Sequence, residues 1–401
     1  MAELEAFRAE AAEWLDANAP QAIRSLRLHA ELGGNWGGRH PLWEAPEMET
    51  WLRVCADKGW TAPTWPGEYG GGDLSNAEAK VLEQERKRLQ LPEPLTGFGL
   101  SMIGPTLLRF GSEAQKQEHL PKIVRGEIRW CQGYSEPEAG SDLASLQARA
   151  ERDGDDFLIN GTKVWTSYGD LSDWIFALVR TNSAVKKQAG ISFILIDMET
   201  PGVSVRPIKL ISGKSPFCEA HFENVRVPLA NVLGEIDGGW TVAKALLGHE
   251  RSMIADVFGA GGGARGRRAT LAEQAREVLG GTPGEPLPDA LLRDRIAQNE
   301  MDMKAFHLTL QRSRDAAKAG QQPGSESSIF KVWATEANQR RTELAMQIAG
   351  PQALGWEGAG FDEAELDCTR AWLRARGNSI EGGTSEVQLN IIAKHVLGLP
   401  D

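Results

Sequence analysis

The sequence predicts an α+β chain of three consecutive parts: helices, then a sheet, then helices again. Apolar residues recur at the three- and four-residue spacing of amphipathic helices up to residue 126 and again from Gly238 onward. Between these regions the chain changes to short runs rich in β-branched and aromatic residues, which is typical of strands. We therefore predict an N-terminal helical domain (1–126), a middle β-domain (127–237) and a C-terminal helical domain (238–401).

The N-terminal part begins with "MAELEAFRAEAAEWL", in which acids alternate with apolar residues at helical spacing. Turn residues interrupt the helical pattern at 62–73 and at 90–97. The opening residues lack the basic start and apolar centre of a secretory signal, and apolar runs stay short of the roughly 18 residues that a membrane span needs. We therefore expect a cytoplasmic protein that has no membrane partner.

The middle part contains the predicted strands. They are the runs "RWCQGYS", "DFLINGTKVWTS", "DWIFALVRT", "GISFILIDM", "VSVRPIKL" and "AHFENVRVP". In the second run we expect Asn160 and Gly161 to form a hairpin turn, because this dipeptide is the strongest local hairpin signal.

The C-terminal part returns to long helical segments, separated by Gly- and Pro-rich loops at 280–289 and 320–328. It ends in "NSIEGGTSEVQLN" (378–390), where two adjacent glycines let the backbone approach a ligand closely. Thr384 and Glu386 follow the glycines and are expected to open the last helix.

Composition narrows the classes of function. A formal net charge of −11 argues against a nucleic-acid partner, whose phosphates such a surface repels. The four cysteines form no CxxC pair, so we expect reduced thiols without a zinc knuckle. The histidines show no ligand spacing, and "HERSM" lacks the second histidine of a zinc-protease helix, so no metal is expected.

Two segments of the middle part suit a ligand. "WCQGYSEPEAGSDLAS" (130–145) runs from a strand into a turn that offers hydroxyls and backbone N–H groups. "KVWTS" (163–167) places a large aromatic beside two hydroxyls, a combination that can cover one face of a planar heterocycle. The alternative interpretation is an ordinary serine-rich turn and a tryptophan that packs in the core.

These segments carry a family resemblance. "CQGYSEPEAGSD", "INGTKVWTS", "QIAGPQALGW" and "EGGTSEVQLNIIAKHVLGLP" resemble the acyl-CoA dehydrogenase family, in the family's order and over essentially the whole chain, including "WPGEYGGGD". The most similar branch contains the pimeloyl-CoA dehydrogenase large subunit and steroid side-chain enzymes. The resemblance implies a helical domain, a barrel-like β-domain and a four-helix bundle, with FAD between the last two.

The resemblance also implies a function in fatty-acid or steroid side-chain catabolism. The expected reaction is α,β-dehydrogenation of an acyl-CoA thioester, with electrons passed to an electron-transfer flavoprotein. The positions that match cofactor contacts of the family are Gln132, Tyr134, Ser135, Ser141, Trp165, Thr166, Ser167, Gln347, Thr384 and Glu386. The positions that match substrate contacts are Ser141, Arg251 and Gly382.

The catalytic base departs from the commonest family pattern. Many members carry it two residues before the threonine of the last loop, where this sequence has Gly382, and Glu381 is one residue away from that position. We therefore interpret Glu381 as a solvated turn residue. A subset that includes the isovaleryl-CoA enzyme has its base on the first long helix of the C-terminal domain, at the position of Glu250.

The residues around Glu250 support this assignment. The positions three and four away are Leu246, Leu247, Met253 and Ile254. The carboxylate thus projects from an apolar stripe, where burial makes it more basic and suited to remove an α-proton. The alternative is a buried ion pair with Arg251 or another cation. In the implied mechanism Glu250 removes the α-proton, the flavin takes the β-hydride, and the thioester carbonyl accepts a hydrogen bond from the backbone of Gly382.

The sequence allows two interpretations of the assembly and two of the size of the substrate. Homotetrameric members usually carry Arg-x-x-Phe-Gly after the base helix, and here the stretch reads "GGGARGRRATLAEQA". Two explanations are open for the missing arginine element: it is replaced by Arg265, Arg267 and Arg268, or a related partner chain supplies its contacts in a heteromeric tetramer. We favour the heteromer.

The glycine-rich run 259–264 either leaves room for a bulky, ring-bearing acyl chain or is a simple helix break. The competing functions are a non-catalytic partner subunit and an oxidase that uses oxygen directly.

Overall fold

The computed structural model describes residues 2–24, 26, 35–247, 269–282, 285–319, 324–325 and 327–400. The chain forms two compact units. The first comprises Met1–Ile208 and Ser215–His249, and the second comprises Lys209–Lys214 and Glu250–Asp401. The boundaries predicted for three domains, at 126 and 237, stay a prediction.

Helices form the N-terminal part of the first unit, as the sequence predicts. They are α1 (Ala2–Asn18), α2 (Glu47–Asp57), α3 (Asn76–Arg88), α4 (Gly104–Phe110) and α5 (Glu113–Val124). Ser75 and Ser112 begin α3 and α5 with capping boxes, in which the hydroxyl accepts a backbone N–H three residues on. Trp51 and Met48 of α2 are buried against Leu15 of α1 in the core of this part.

A seven-stranded sheet follows in the same unit. Its strands are β1 (Trp130–Gly133), β2 (Arg149–Asp153), β3 (Asp156–Ser167), β4 (Trp174–Arg180), β5 (Ile191–Asp197), β6 (Val203–Ile208) and β7 (Phe217–Pro228). The order is β1-β4-β2-β3-β7-β6, and β5 pairs with β4. The sheet is mixed, because β1 and β4 are parallel whereas β3 is antiparallel to both β2 and β7. Its apolar core includes Phe157, Ile159, Ile175, Val179, Ile194 and Val225.

The expected hairpin turn at Asn160 and Gly161 is wrong. β3 continues through both residues, and its pairing with β7 shifts register between Ile159 and Gly161. A Cβ on Gly161 would lie 2.5 Å from Cβ of Ala148, so the glycine serves close approach of two chain segments within a bulged strand. The hairpin turn instead joins β2 to β3 at Gly154, whose φ is +65°.

Helices make up the remainder of the described chain. Residues 239–247 are helical (α6) and belong to the first unit. The second unit contains α7 (Leu271–Leu279), α8 (Ala290–Lys318), α9 (Ser327–Ala349), α10 (Glu363–Ala375) and α11 (Ser385–Ile391). Helix α9 packs against each of the other four, which makes it the central helix of the unit. Among the described residues, no helix has both the length and the apolar content to cross a membrane.

Candidate active site

Strand β1 leads directly into the first predicted ligand segment. After Gly133 the chain turns, and Glu136 and Ala139 exchange two backbone hydrogen bonds of 3.0 Å. The carbonyl of Ser135 accepts a 2.9 Å hydrogen bond from the backbone N–H of Val164 on β3. The two segments that the sequence predicts to bind one ligand are therefore joined by their backbones.

The second segment contains a bulge at the end of β3. The pairing of β3 with β7 shifts register between Lys163 and Thr166, and Trp165 has a φ of +62°, which is uncommon for a non-glycine residue. The bulge turns the indole of Trp165 outward, so that 54% of the residue is exposed, and its edge faces Phe217 with ring centroids 6.0 Å apart. A strained, exposed aromatic on a rigid sheet is a suitable platform for a planar ring.

Buried polar atoms accompany this platform. Within the described residues, Nε2 of Gln132 and Oγ1 of Thr166 are buried without a hydrogen-bond partner. Buried donors and acceptors are nearly always satisfied, so these two atoms suit a polar ligand beside β1 and β3. Tyr134 is buried next to them, and its ring packs edge-on against Phe176.

The remaining predicted residues of the first unit lie on the same two segments. Ser167 ends β3 and is partly exposed, whereas Ser141 lies in the exposed turn that follows β1. Lys163 was not predicted as a site residue; it is a fully buried lysine that pairs with Glu136 of the turn.

The glycine turn of the second unit has an unusual backbone. Gly382 and Gly383 have φ values of +62° and +87°. A Cβ on Gly383 would lie 2.5 Å from Nε2 of Gln388, which donates a 3.0 Å hydrogen bond to the carbonyl of Gly382. Thr384 begins α11 as predicted, because its hydroxyl accepts the N–H of Val387 at 3.2 Å. The positive φ values favour glycine at both positions, and the threonine caps the helix that follows.

Charged groups surround this turn. Glu386 is exposed, and its pKa is lowered by its own backbone N–H and by the hydroxyl of Thr384. Lys331 of α9 is buried, which lowers its pKa, while the charges of Glu381 and Glu386 oppose that effect. Lys331 was not predicted as a site residue. Gln347 is exposed on α9 and accepts a 2.9 Å hydrogen bond from Nη1 of Arg295.

Three predicted features lie outside the described residues. These are the base Glu250, the substrate contact Arg251 and the glycine-rich run 259–264. Their assignments stay predictions. In the described part of the chain, no group of three histidine, cysteine or acidic side chains is arranged to hold a metal ion.

Family models match nearly the whole chain in order. The model described as acyl-CoA dehydrogenase, N-terminal domain, matches residues 1–127. The middle-domain model matches 131–225, and the C-terminal-domain model matches 237–397. The chain belongs to the acyl-CoA dehydrogenase family. The three-part fold that the sequence predicts, helical, then β, then helical, is the acyl-CoA dehydrogenase fold.

Individual relatives also cover the full length. The acyl-CoA dehydrogenase IpdE1 of Mycobacterium tuberculosis is 37% identical over 402 residues, which span 100% of this chain and 99% of IpdE1. The solved structure of the Tcur3481-Tcur3483 steroid acyl-CoA dehydrogenase superimposes with a TM-score of 0.74 at 29% identity, covering 100% of this chain and 98% of that one. The ChsE4-ChsE5 complex of Mycobacterium tuberculosis gives 0.73 at 26% identity, with the same coverage. Similarity to steroid enzymes confirms the predicted branch of the family.

Proposed function

We propose that this acyl-CoA dehydrogenase binds FAD, oxidises the α,β-bond of an acyl-CoA thioester and passes the electrons to an electron-transfer flavoprotein. The observation that carries the proposal is the backbone bond between Ser135 and Val164, which holds the serine-rich turn beside the exposed indole of Trp165. This arrangement supports a planar cofactor that is hydrogen-bonded on its edge and covered on one face.

The residues of the first unit fit a flavin. The buried atoms Nε2 of Gln132 and Oγ1 of Thr166 have no partner among the described residues and can bond polar atoms of a ring system. Hydride acceptance is the chemistry that FAD supplies when bound. The residues that would hold it in the first unit are Gln132, Tyr134, Ser135, Ser141, Trp165, Thr166 and Ser167. Those in the second unit are Gln347, Thr384 and Glu386.

The proton chemistry is assigned to Glu250. This carboxylate would remove the α-proton of the thioester, since the sequence surrounds it with apolar positions that make it more basic. The backbone N–H of Gly382 would donate to the thioester carbonyl, where negative charge develops as the proton leaves. Arg251 and Ser141 match positions of the family that contact the substrate and would do so here.

An oligomer with a related chain is the proposed assembly. Two similar solved structures, Tcur3481-Tcur3483 and the ChsE4-ChsE5 complex, are each named for a pair of chains. In this chain, several large apolar side chains of the second unit are exposed, and a partner subunit would bury those that lie at its contact. They include Leu291, Met301, Leu354, Ile380, Leu389 and Leu397.

A non-catalytic partner subunit is the second candidate. It is favoured by Gly382, which occupies the position where many family members carry the base. A chain of this kind would contribute contacts to a neighbour's site and would perform no proton transfer of its own. The base assigned to Glu250 argues for the catalytic function.

One experiment with two preparations of the protein tests both candidate functions. The chain is purified alone and after co-expression with a related neighbour, and its visible spectrum is recorded before and after anaerobic addition of acyl-CoA thioesters. We expect a flavin spectrum that bleaches on addition of substrate, and loss of this bleaching when Glu250→Gln replaces the wild-type chain in the complex. Absence of flavin from both preparations would overturn the dehydrogenase proposal. Bleaching in the complex that survives both Glu250→Gln and Glu381→Gln would favour the non-catalytic function.

A further inference from the structure

A buried ion pair lies beneath the two segments assigned to the flavin. Nζ of Lys163 is 2.7 Å from Oε1 of Glu136, and it also donates a 3.2 Å hydrogen bond to the carbonyl oxygen of Tyr134. The side chain of Lys163 is 0% exposed and that of Glu136 is 8% exposed. The pair is therefore shielded from water and from dissolved ligands.

The carboxylate of Glu136 connects three segments of the chain. Besides Lys163 of β3, its oxygens accept the backbone N–H of Gln147 at 2.6 Å and that of Ala148 at 2.9 Å. Gln147 and Ala148 lead into β2, whereas Glu136 itself belongs to the turn after β1. A single side chain thus ties together β3, the turn and the entry to β2.

A buried ion pair adds little to the free energy of unfolding by itself. Removing two charges from water costs several kcal/mol per ion, and apolar residues of the same volume often give an equally stable core. What a hydrogen-bonded ion pair adds is geometry, because each donor must meet its acceptor in one arrangement. The position of Lys163 and Glu136 in the chain indicates which geometry is fixed.

Each partner is close in sequence to a residue assigned to the cofactor. Glu136 directly follows Ser135, and Lys163 lies two positions before Trp165, where the bulge gives the backbone its positive φ. The hydrogen bond from the N–H of Val164 to the carbonyl of Ser135 joins the residues that directly follow Lys163 and directly precede Glu136. The ion pair and this backbone bond therefore hold the turn and the bulge together at neighbouring points.

We propose that Glu136 and Lys163 are positioning residues, which fix Ser135 relative to Trp165 so that the flavin platform is formed before the cofactor binds. This inference rests on the proposed function. Neither side chain touches the cofactor in this assignment, since both are buried beneath the turn. Preorganisation of this kind lowers the ordering cost of binding.

A double variant separates positioning from stability. Lys163→Met leaves the carboxylate of Glu136 buried and unpaired, and we expect it to destabilise the protein strongly. Lys163→Met combined with Glu136→Gln removes both charges and should recover most of the melting temperature. If the pair positions the platform, the recovered double variant still binds FAD at least about tenfold more weakly, because small misplacements of binding groups weaken a preorganised site. In the double variant, the amide proton of Val164 should also exchange with solvent faster than it does in the wild type.

The matched control is Arg226→Met. Arg226 of β7 forms an ion pair with Asp156 of β3 at 3.0 Å and with Asp153 at 2.6 Å, on the exposed side of the same sheet. We expect this variant to retain wild-type FAD affinity and wild-type exchange at Val164. Wild-type FAD affinity and exchange in the double variant, once its melting temperature has recovered, would overturn the positioning inference.

The exchange measurement also keeps the two proposals apart. It is made on the chain without cofactor, so it reports whether the pair holds Val164 against Ser135 even if the wild type binds no FAD. Absence of FAD from the wild type in both preparations would reject the proposed function. Unchanged exchange at Val164 in the double variant would reject the positioning inference independently.

Discussion

The carboxylate of Glu381 accepts a 2.6 Å hydrogen bond from Nη2 of Arg374. Its other oxygen accepts a 2.5 Å hydrogen bond from Nδ2 of Asn378, and 41% of the side chain is exposed. An acid whose two oxygens are engaged by neighbouring donors and which is partly exposed to solvent is poorly placed to remove a weakly acidic proton from a substrate. This geometry agrees with the interpretation of Glu381 as a turn residue and favours a base elsewhere.

The first prediction concerns the base. Glu250→Gln keeps volume and hydrogen-bonding capacity but removes basicity, so substrate-dependent flavin reduction should fall at least about a hundredfold. Glu381→Gln should change the rate little, because its carboxylate has a structural partner in Arg374. Anaerobic stopped-flow bleaching of the flavin measures both rates. Normal bleaching by Glu250→Gln with loss in Glu381→Gln would reverse the assignment, and loss in neither would indicate a base in the partner chain.

The second prediction concerns the flavin platform. Trp165→Ala combined with Ser135→Ala should abolish the yellow colour of the purified protein while leaving its circular dichroism unchanged. The physical reason is that Trp165 is 54% exposed and contributes little to the core, so its removal affects a bound ring more than the fold. Full retention of FAD by a folded double variant would place the cofactor elsewhere.

The third prediction concerns the start of α11. Thr384→Ala removes the hydroxyl that accepts the N–H of Val387, and loss of such a cap costs about 1 kcal/mol. The amides that are hydrogen-bonded within α11, from Gln388 onward, should then exchange about fivefold faster, because opening of the helix costs about 1 kcal/mol less. Thr384→Ser is the control, because it keeps the capping hydroxyl. Equal exchange in the alanine and serine variants would mean that the cap does not stabilise this helix.

The order of the elements could be predicted from the sequence because the strands from β3 to β7 are rich in β-branched and aromatic residues and β1 begins with Trp130. β2 lacks such a run, since four of its five residues, Arg149, Glu151, Arg152 and Asp153, are exposed and charged. The dipeptide Asn160-Gly161 predicts a turn in isolation. Its position opposite Ala148 makes it part of a continuous strand, and that long-range approach is absent from local sequence.

The candidate site, too, could be predicted only where local sequence carries the signal. The turn after β1 and the aromatic at the end of β3 were predicted as ligand segments, and the structure joins them through Ser135 and Val164. Lys163 carried a usable signal, because it has the same strand parity as the buried Phe157 and Ile159. Its partner could not be identified from sequence, since Glu136 is 27 residues away and Glu138 lies in the same turn. The folded path of this turn determines which of the two acids pairs with Lys163.

The fourth prediction follows from the burial of Lys163. Desolvation lowers its pKa from the ordinary value of 10.5 to about 8, although Glu136 raises it; the charge of Arg180 lowers it further. The unfolded chain therefore binds more protons than the folded chain between pH 8 and 10.5.

The sign of the effect follows from this difference in bound protons. The free energy of unfolding of the wild type should rise with pH through this window relative to that of the double variant Lys163→Met with Glu136→Gln, by up to about 1.4 kcal/mol per pH unit. The double variant is the reference because Lys163→Met alone leaves the buried carboxylate of Glu136 without its countercharge, and that group would not cancel. At neutral pH the difference between the two proteins should be constant, because Lys163 is charged in both the folded and the unfolded wild type. Urea titrations of both proteins at a series of pH values, followed by tryptophan fluorescence, measure this difference, and titratable groups away from the pair cancel. A difference that falls as the pH rises through 8 would mean that attraction to Glu136 outweighs desolvation, and that the pair stabilises the fold as well as the geometry of the turn.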